Sequence, residues 1–195
     1  MRKKPFVLGV GVNDSEHPTK INKKAIPAYE AWHSILVRCY SEKSFKKRPT
    51  YIKCEICEEW KSFSAFEKWY DSNKINGFVI DKDILFIGNT VYSPSTCRFV
   101  PPNINTLLLD RRNDRGEYPI GVSEDNYGNK KKKYKACISK YGRNVHLGYF
   151  STPEEAHEAW RLAKIEYVGE VARAYLFSGE ISEEIFDALI SRDFR

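Results

Sequence analysis

The stretch IDKDILFIGNT, residues 80 to 90, sets two carboxylates, Asp81 and Asp83, around one lysine, Lys82, and follows them with a Gly-Asn turn. A little further on, YSPSTCRF closes with a Cys-Arg-aromatic step at Cys97, Arg98 and Phe99. Carboxylate oxygens are the hard ligands that Mg²⁺ and Mn²⁺ prefer. A cation held there would stabilise charge on a phosphate and its leaving oxygen, while a nearby base activates water. Asp83 is a candidate for that base or for a second ligand. Lys82 is a poor base at neutral pH unless burial lowers its pKa strongly, although it could hold a phosphate. The plain alternative is that both aspartates are solvent-side strand residues beside a lysine.

Other residues with chemical potential carry less. Cys54-Glu-Ile-Cys57 has the bite of a zinc half-site, but a structural zinc needs four ligands and the chain offers no second pair, so no zinc is expected. The five cysteines are odd in number and widely spread, which argues against a disulfide framework. His17, His33 and His157 lie in unrelated contexts, and no Ser-His-Asp or Cys-His triad can be read. GVGVND at 9–14 lacks the glycine spacing of a nucleotide loop.

The elements that must position these residues follow from periodicity and caps. IPAYEAWHSILVRCYS places Tyr29, Trp32, Ile35, Leu36 and Cys39 at helical spacing. YIKCEICEEWKSFSAFEKWYDS reads as a short strand and then a helix with an aromatic face. GFVIDKDIL reads as a strand, and a short helix starts at about Pro102. Residues 1–24 form a basic, loosely ordered arm, and DRRNDRGE supplies a charged linker over 111–117. Beyond it, three short strands separated by turn signals precede a helix opened by Thr152, Pro153 and Glu155 as cap, first residue and capping box. A last helix spans about Ser182 to Ile190. The expected division is therefore 1–24, 25–110, 111–117, 118–178 and 179–195, in the α+β class.

Charge is distributed unevenly. Residues 118–151 hold seven Lys/Arg against two acids, whereas 152–195 hold five against ten, in a chain of net charge +6. That is the pattern of one face that meets phosphate and a back that does not. On the middle strand Tyr134, Ala136 and Ile138 alternate with Lys135, Cys137 and Ser139; on the next, Val145 and Leu147 alternate with Asn144 and His146. An apolar side can pack on Ala156, Ala159, Trp160 and Ala163. The polar, basic side can lie in a DNA major groove. No apolar run approaches a membrane span, and the N-terminus lacks the long apolar core of a signal peptide, so an intracellular, cytoplasmic protein is expected.

Two resemblances sharpen these expectations. YPIGV, followed by KYKACISKYGRNVHLGYFSTPEEAHEAWRLAK, resembles the APETALA-type DNA-binding domain of plant ethylene-response factors and of phage and mobile-element endonucleases, over residues 118 to about 170. The resemblance implies DNA contacts from Ile120, Ser123, Lys135, Cys137, Ser139, Asn144 and His146, with Lys133 and Arg143 in the same basic block. The plant proteins use arginines and a tryptophan at several of these slots; this chain does not. AWHSILVRCY, CEEWKSFSAFEKWY, IDKDI and YSPSTCRFVPPNIN, over about 29–108, resemble phage HNH endonucleases, and the pair of modules together resembles a phage or prophage homing-type enzyme. That resemblance implies a ββα-metal module with Asp81 and Asn105 as ligands to Mg²⁺ or Mn²⁺. It puts Lys82 in the slot of the histidine base and Thr96 in that of the residue orienting the loop. The implied activity is metal-dependent cleavage or nicking of double-stranded DNA in the cytoplasm, that of the host cell for a phage protein, without a small-molecule cofactor. The same scaffold without catalysis, acting as a DNA-binding regulator, is the alternative. An interaction protein using the aromatic N-terminal helix is a third.

Overall fold

The structure is a computed structural model and describes residues 6–109, 116–125 and 133–194. Most of the expected linker, and Lys130–Lys132 of the basic block, lie outside those residues. The chain is a mixed α+β protein with small, mostly antiparallel sheets. It divides into two compact units, Met1–Pro102 and Asn103–Arg195, earlier in the chain than the charged linker.

The first unit opens with two small hairpins, β1 (Phe6–Val7) with β2 (Gly11–Val12) and β3 (Lys20–Ile21) with β4 (Lys24–Ala25). This region was expected as a loose arm, and it is tied down instead. Gly11 is buried so closely on Trp32 and Leu36 that a Cβ would come within 2.6 Å of both side chains. Asp14 accepts hydrogen bonds from Ser62 Oγ (2.7 Å), Ser64 N (2.9 Å) and Ser64 Oγ (2.8 Å). α1 (Pro27–Tyr40) starts on its proline and buries Ala28, Trp32, Ile35, Leu36 and Cys39, one face of a 3.6-residue period. α2 (Glu42–Lys47) is short and exposes its lysines. After β5 (Glu55–Ile56), Ser62 caps α3 (Phe63–Asn73) by accepting from Ala65 N. Trp32, Trp60, Phe63 and Phe66 are fully buried, and Trp32 Nε1 donates to the Trp60 carbonyl at 2.7 Å. β6 (Val79–Asp81) pairs antiparallel with β8 (Arg98–Val100), and the intervening β7 (Val91–Tyr92) pairs parallel with β5. α4 (Pro102–Leu107) follows β8 directly.

In the second unit β9 (Val122–Glu124), β10 (Tyr134–Lys140) and β11 (Arg143–Phe150) form an antiparallel sheet in the order β11-β10-β9. α5 (Pro153–Phe177) packs on it. Thr152 caps α5 by accepting from Glu155 N, and Glu155 Oε2 accepts from Ser151 N. Ala136, Ile138, Ala156 and Trp160 make the seam, burying apolar surface at about 25 cal/mol per Å². Gly121, at φ +82°, lets β9 meet Trp160: a Cβ there would lie 2.1 Å from the indole. α6 (Glu183–Ile190), capped by Ser182, closes the unit with Ile185 and Leu189 buried.

Candidate functional site

The ladder decides which residues share the sheet face turned away from α5. β10 pairs Lys135 with Ser123 on one side and with Tyr149 on the other; it pairs Cys137 with His146 and Ser139 with Asn144. Opposed residues lie on the same side of a sheet. Ala136 and Ile138 are buried on the α5 side, so Ser123, Lys135, Cys137, Ser139, Asn144, His146 and Tyr149 lie together on the outer face. Tyr149 was not singled out in the sequence. Simple alternation places residues 146 and 148 together, but a bulge intervenes. Ala136 opposes Gly148 while Cys137 opposes His146, so Leu147 is the extra residue. Beyond the bulge the alternation is reversed, and Tyr149 joins His146, their rings edge to face at 4.8 Å. Gly148, at φ +141°, accommodates the distortion.

This face is sparing in charge. Cys137 Sγ lies 3.9 Å from His146 Nδ1. The Tyr149 hydroxyl donates to Asp125, which raises its pKa. Lys133 is ion-paired to Glu124 at 3.0 Å, and Tyr118 donates to the same carboxylate at 2.6 Å. Arg143 pairs with Lys140 across the turn and by alternation takes the α5 side, where Lys140 meets Glu166 at 3.6 Å. Ile120 lies before β9 and offers its carbonyl to the His157 ring, 3.0 Å from Nδ1. Among the described residues of the outer face, Lys135 is the one cation in the strands.

The carboxylate hairpin belongs to the first unit. Asp81 ends β6 opposite Arg98, and its Oδ1 accepts from Asp83 N at 2.6 Å. Arg98 Nη1 gathers the carbonyls of Pro94, Ser95 and Cys97 at 2.8–3.3 Å, which curls the Ser-Pro-Ser turn around the guanidinium. Thr96 fastens that turn: its hydroxyl donates to the Val91 carbonyl at 2.8 Å and accepts from Ser93 N at 3.2 Å. Lys82 turns inward and is 7% exposed. Its ammonium donates to both Asp83 oxygens at 2.8 Å and to the Asn89 carbonyl, and it lies 5.8 Å from the Tyr92 ring centre. An ammonium has three donors, and all three are taken. Asn89, of the expected Gly-Asn turn, donates to the carbonyls of Lys82 (2.8 Å) and Val91 (2.7 Å). Lys82 and Asn89 thus close the 82–91 loop, and the buried lysine is a structural tie.

Asn105 sits on α4 in the second unit, and its side chain makes no hydrogen bond among the described residues. Among those residues no three His, Cys, Asp or Glu side chains group as a metal cage. Cys54 and Cys57 flank β5 as free thiols whose pKa values burial raises, and burial pushes Cys39 and Cys97 up to about 12. No described helix is long and apolar enough to cross a membrane. Comparison of the chain with protein-family models, curated proteins and solved structures returns no match.

Proposed function

We propose that this protein binds double-stranded DNA through the outer face of the β9-β10-β11 sheet. One observation carries the reading: the ladder, with its bulge at Leu147, collects Ser123, Lys135, Ser139, Asn144, His146 and Tyr149 on one side of a sheet whose other side is sealed by α5. Apart from Lys135, a long cation suited to phosphate, these are short or planar side chains with donors and acceptors at their tips, suited to base edges in a groove wide enough for a β-ribbon. The neighbouring basic stretch supplies phosphate contacts, which position the protein without reading sequence. Fluorescence anisotropy against salt tests this. Each phosphate contact should contribute about −0.9 to the slope of log affinity against log salt. Lys135→Glu should weaken binding to any duplex and flatten that slope. Asn144→Ala should cost about 1–3 kcal/mol on a selected site and much less on random duplex. Unchanged affinity and slope in both variants, with the fold intact by circular dichroism, would refute the sheet as the DNA face.

A second reading, metal-dependent phosphodiester cleavage, is favoured by Asp81 at the end of β6, opposite Arg98, with α4 and Asn105 next in the chain. One partly buried carboxylate suits a weak Mg²⁺ or Mn²⁺ site. Such a site keeps most of its waters and relies on a substrate phosphate for completion. The metal would supply Lewis-acid stabilisation of the phosphate. Asp81 would hold it, and Arg98 and Thr96 keep the strand beneath rigid. Asp83, engaged with Lys82, orients that support. Asp81→Asn should abolish cleavage while sparing DNA affinity. Cleavage that survives in Asp81→Asn, or in excess chelator, excludes this site. A wild type that binds but does not cut is the non-catalytic DNA-binding protein.

A further inference from the structure

We propose that a cleft of about 610 Å³ in the second unit, walled by Asn103, Tyr141, Lys164, Tyr167 and Tyr175, binds a small ring-bearing phosphate of nucleotide type. It shares Ser139 with the outer sheet face and is otherwise built from residues not assigned above to base edges, so the argument does not depend on the DNA reading.

Lys164 follows the buried Trp160 by one helical turn, on the face of α5 that later buries Val168, Val171 and Ala172. A lysine on such a face lays its stem along apolar surface and needs an outlet for its charge. One ammonium hydrogen goes to the Leu107 carbonyl at 2.7 Å, at the end of α4, and the group lies 5.7 Å from the Phe194 ring centre. Among the described residues no carboxylate pairs with it, in contrast to Lys140 and to Arg161, which holds both Glu158 and Asp193. Two donors therefore remain for an incoming anion. Uncompensated burial of a cation is costly, and here it pulls the lysine pKa down to about 8. A charge kept in that condition at the wall of a cleft is a mark of a binding site.

The remaining walls suit a ring. The cleft has the size of small-ligand sites, about 300–1,000 Å³. Tyr141 stands at φ +51° in the β10–β11 turn and is 65% exposed. It is held there by its backbone N–H on the Tyr167 hydroxyl (2.9 Å) and its own hydroxyl on Glu170 (3.0 Å). The Tyr141 and Tyr167 rings meet edge to face at 5.0 Å. The Tyr175 hydroxyl accepts from Asn103 Nδ2 at 3.3 Å, leaving the amide oxygen as an acceptor for an amino group on the ring's edge. With Glu170 engaged by Tyr141, Lys164 is the charge that a phosphate would meet.

The test is affinity labelling of the intact chain with pyridoxal phosphate at pH 7, followed by borohydride and peptide mapping. The lysine amine adds to the aldehyde, water leaves, and borohydride delivers hydride to the imine carbon, fixing a secondary amine. About a tenth of an amine of pKa 8 is unprotonated at pH 7, against well under a thousandth for an ordinary lysine. Lys164 should be labelled more than about tenfold faster than half-buried Lys135, a threshold set well below the roughly hundredfold or greater ratio of those free-amine fractions. Adenosine monophosphate at millimolar concentration should protect it better than inorganic phosphate does. A 5′-phosphorylated duplex run in parallel shows whether the ring phosphate can also come from a nucleic-acid end. Labelling of Lys164 no faster than Lys135, or undiminished by either nucleotide source, overturns the proposal. Because the wild-type chain is labelled, no folding defect of a variant can mask the answer.

Discussion

Replacing Lys82 with methionine separates a structural tie from a catalytic base. Methionine keeps most of the stem volume, so packing changes little, and the loss is electrostatic. The Asp83 carboxylate loses two charge-assisted bonds of 2.8 Å, and the Asn89 carbonyl loses its donor. Removing one partner of a fully buried ion pair costs about 3–5 kcal/mol. The Asp83 side chain is 44% exposed and can rehydrate, which reduces its share to about 1 kcal/mol. An unsatisfied carbonyl at the Asn89 position adds about 1–3 kcal/mol. The expected total is about 2–4 kcal/mol, a large part of the 5–15 kcal/mol of a typical domain. Urea unfolding followed by tryptophan fluorescence reads this well, because Trp32, Trp60 and Trp69 lie in the first unit and Trp160 alone in the second. The midpoint of the first unit should fall with the slope unchanged. Lys82→His should destabilise similarly, since an imidazole cannot supply three donors, and it should create no cleavage. A Lys82→Met protein within about 0.5 kcal/mol of wild type, the scatter of neutral surface changes, would refute the structural assignment. Metal-dependent cleavage gained in Lys82→His would do the same and return the residue to the base slot.

Two further outcomes are expected. Gly121→Ala forces a Cβ against Trp160 at a positive φ, which should cost the second unit about 2–5 kcal/mol, strain and overpacking combined, measured by urea unfolding. Lys164 has a folded-state pKa of about 8 against an ordinary 10.5, so between those values the unfolded chain binds more protons and stability rises with pH. That rise should be missing from Lys164→Met in paired melts across pH 7 to 10.

The elements of this protein were legible wherever the signal was local. The 3.6-residue spacing of Trp32, Ile35, Leu36 and Cys39 located α1, and the Thr152-Pro153-Glu155 box, which acts within one helical turn, fixed the start of α5. Alternation in β10 likewise foretold that Ala136 and Ile138 would be buried and Lys135, Cys137 and Ser139 would not. The hairpins at 6–25 were not legible, because strands two residues long have no period. Their order comes from Gly11 on Trp32 and Asp14 on the cap of α3, contacts distant in sequence. Tyr149 was missed because a bulge is a property of two strands together, and no reading of β11 alone reveals where its alternation reverses. Lys82 sits in a charged run that reads as solvent-facing in isolation. Its direction was set by Asp83 and the Asn89 carbonyl, which fold back to meet it, since a buried ammonium is tolerated only where acceptors converge. Lys164 is the converse case. Helical spacing puts it on the same face of α5 as Trp160, but only the tertiary packing buries it with no carboxylate partner among the described residues.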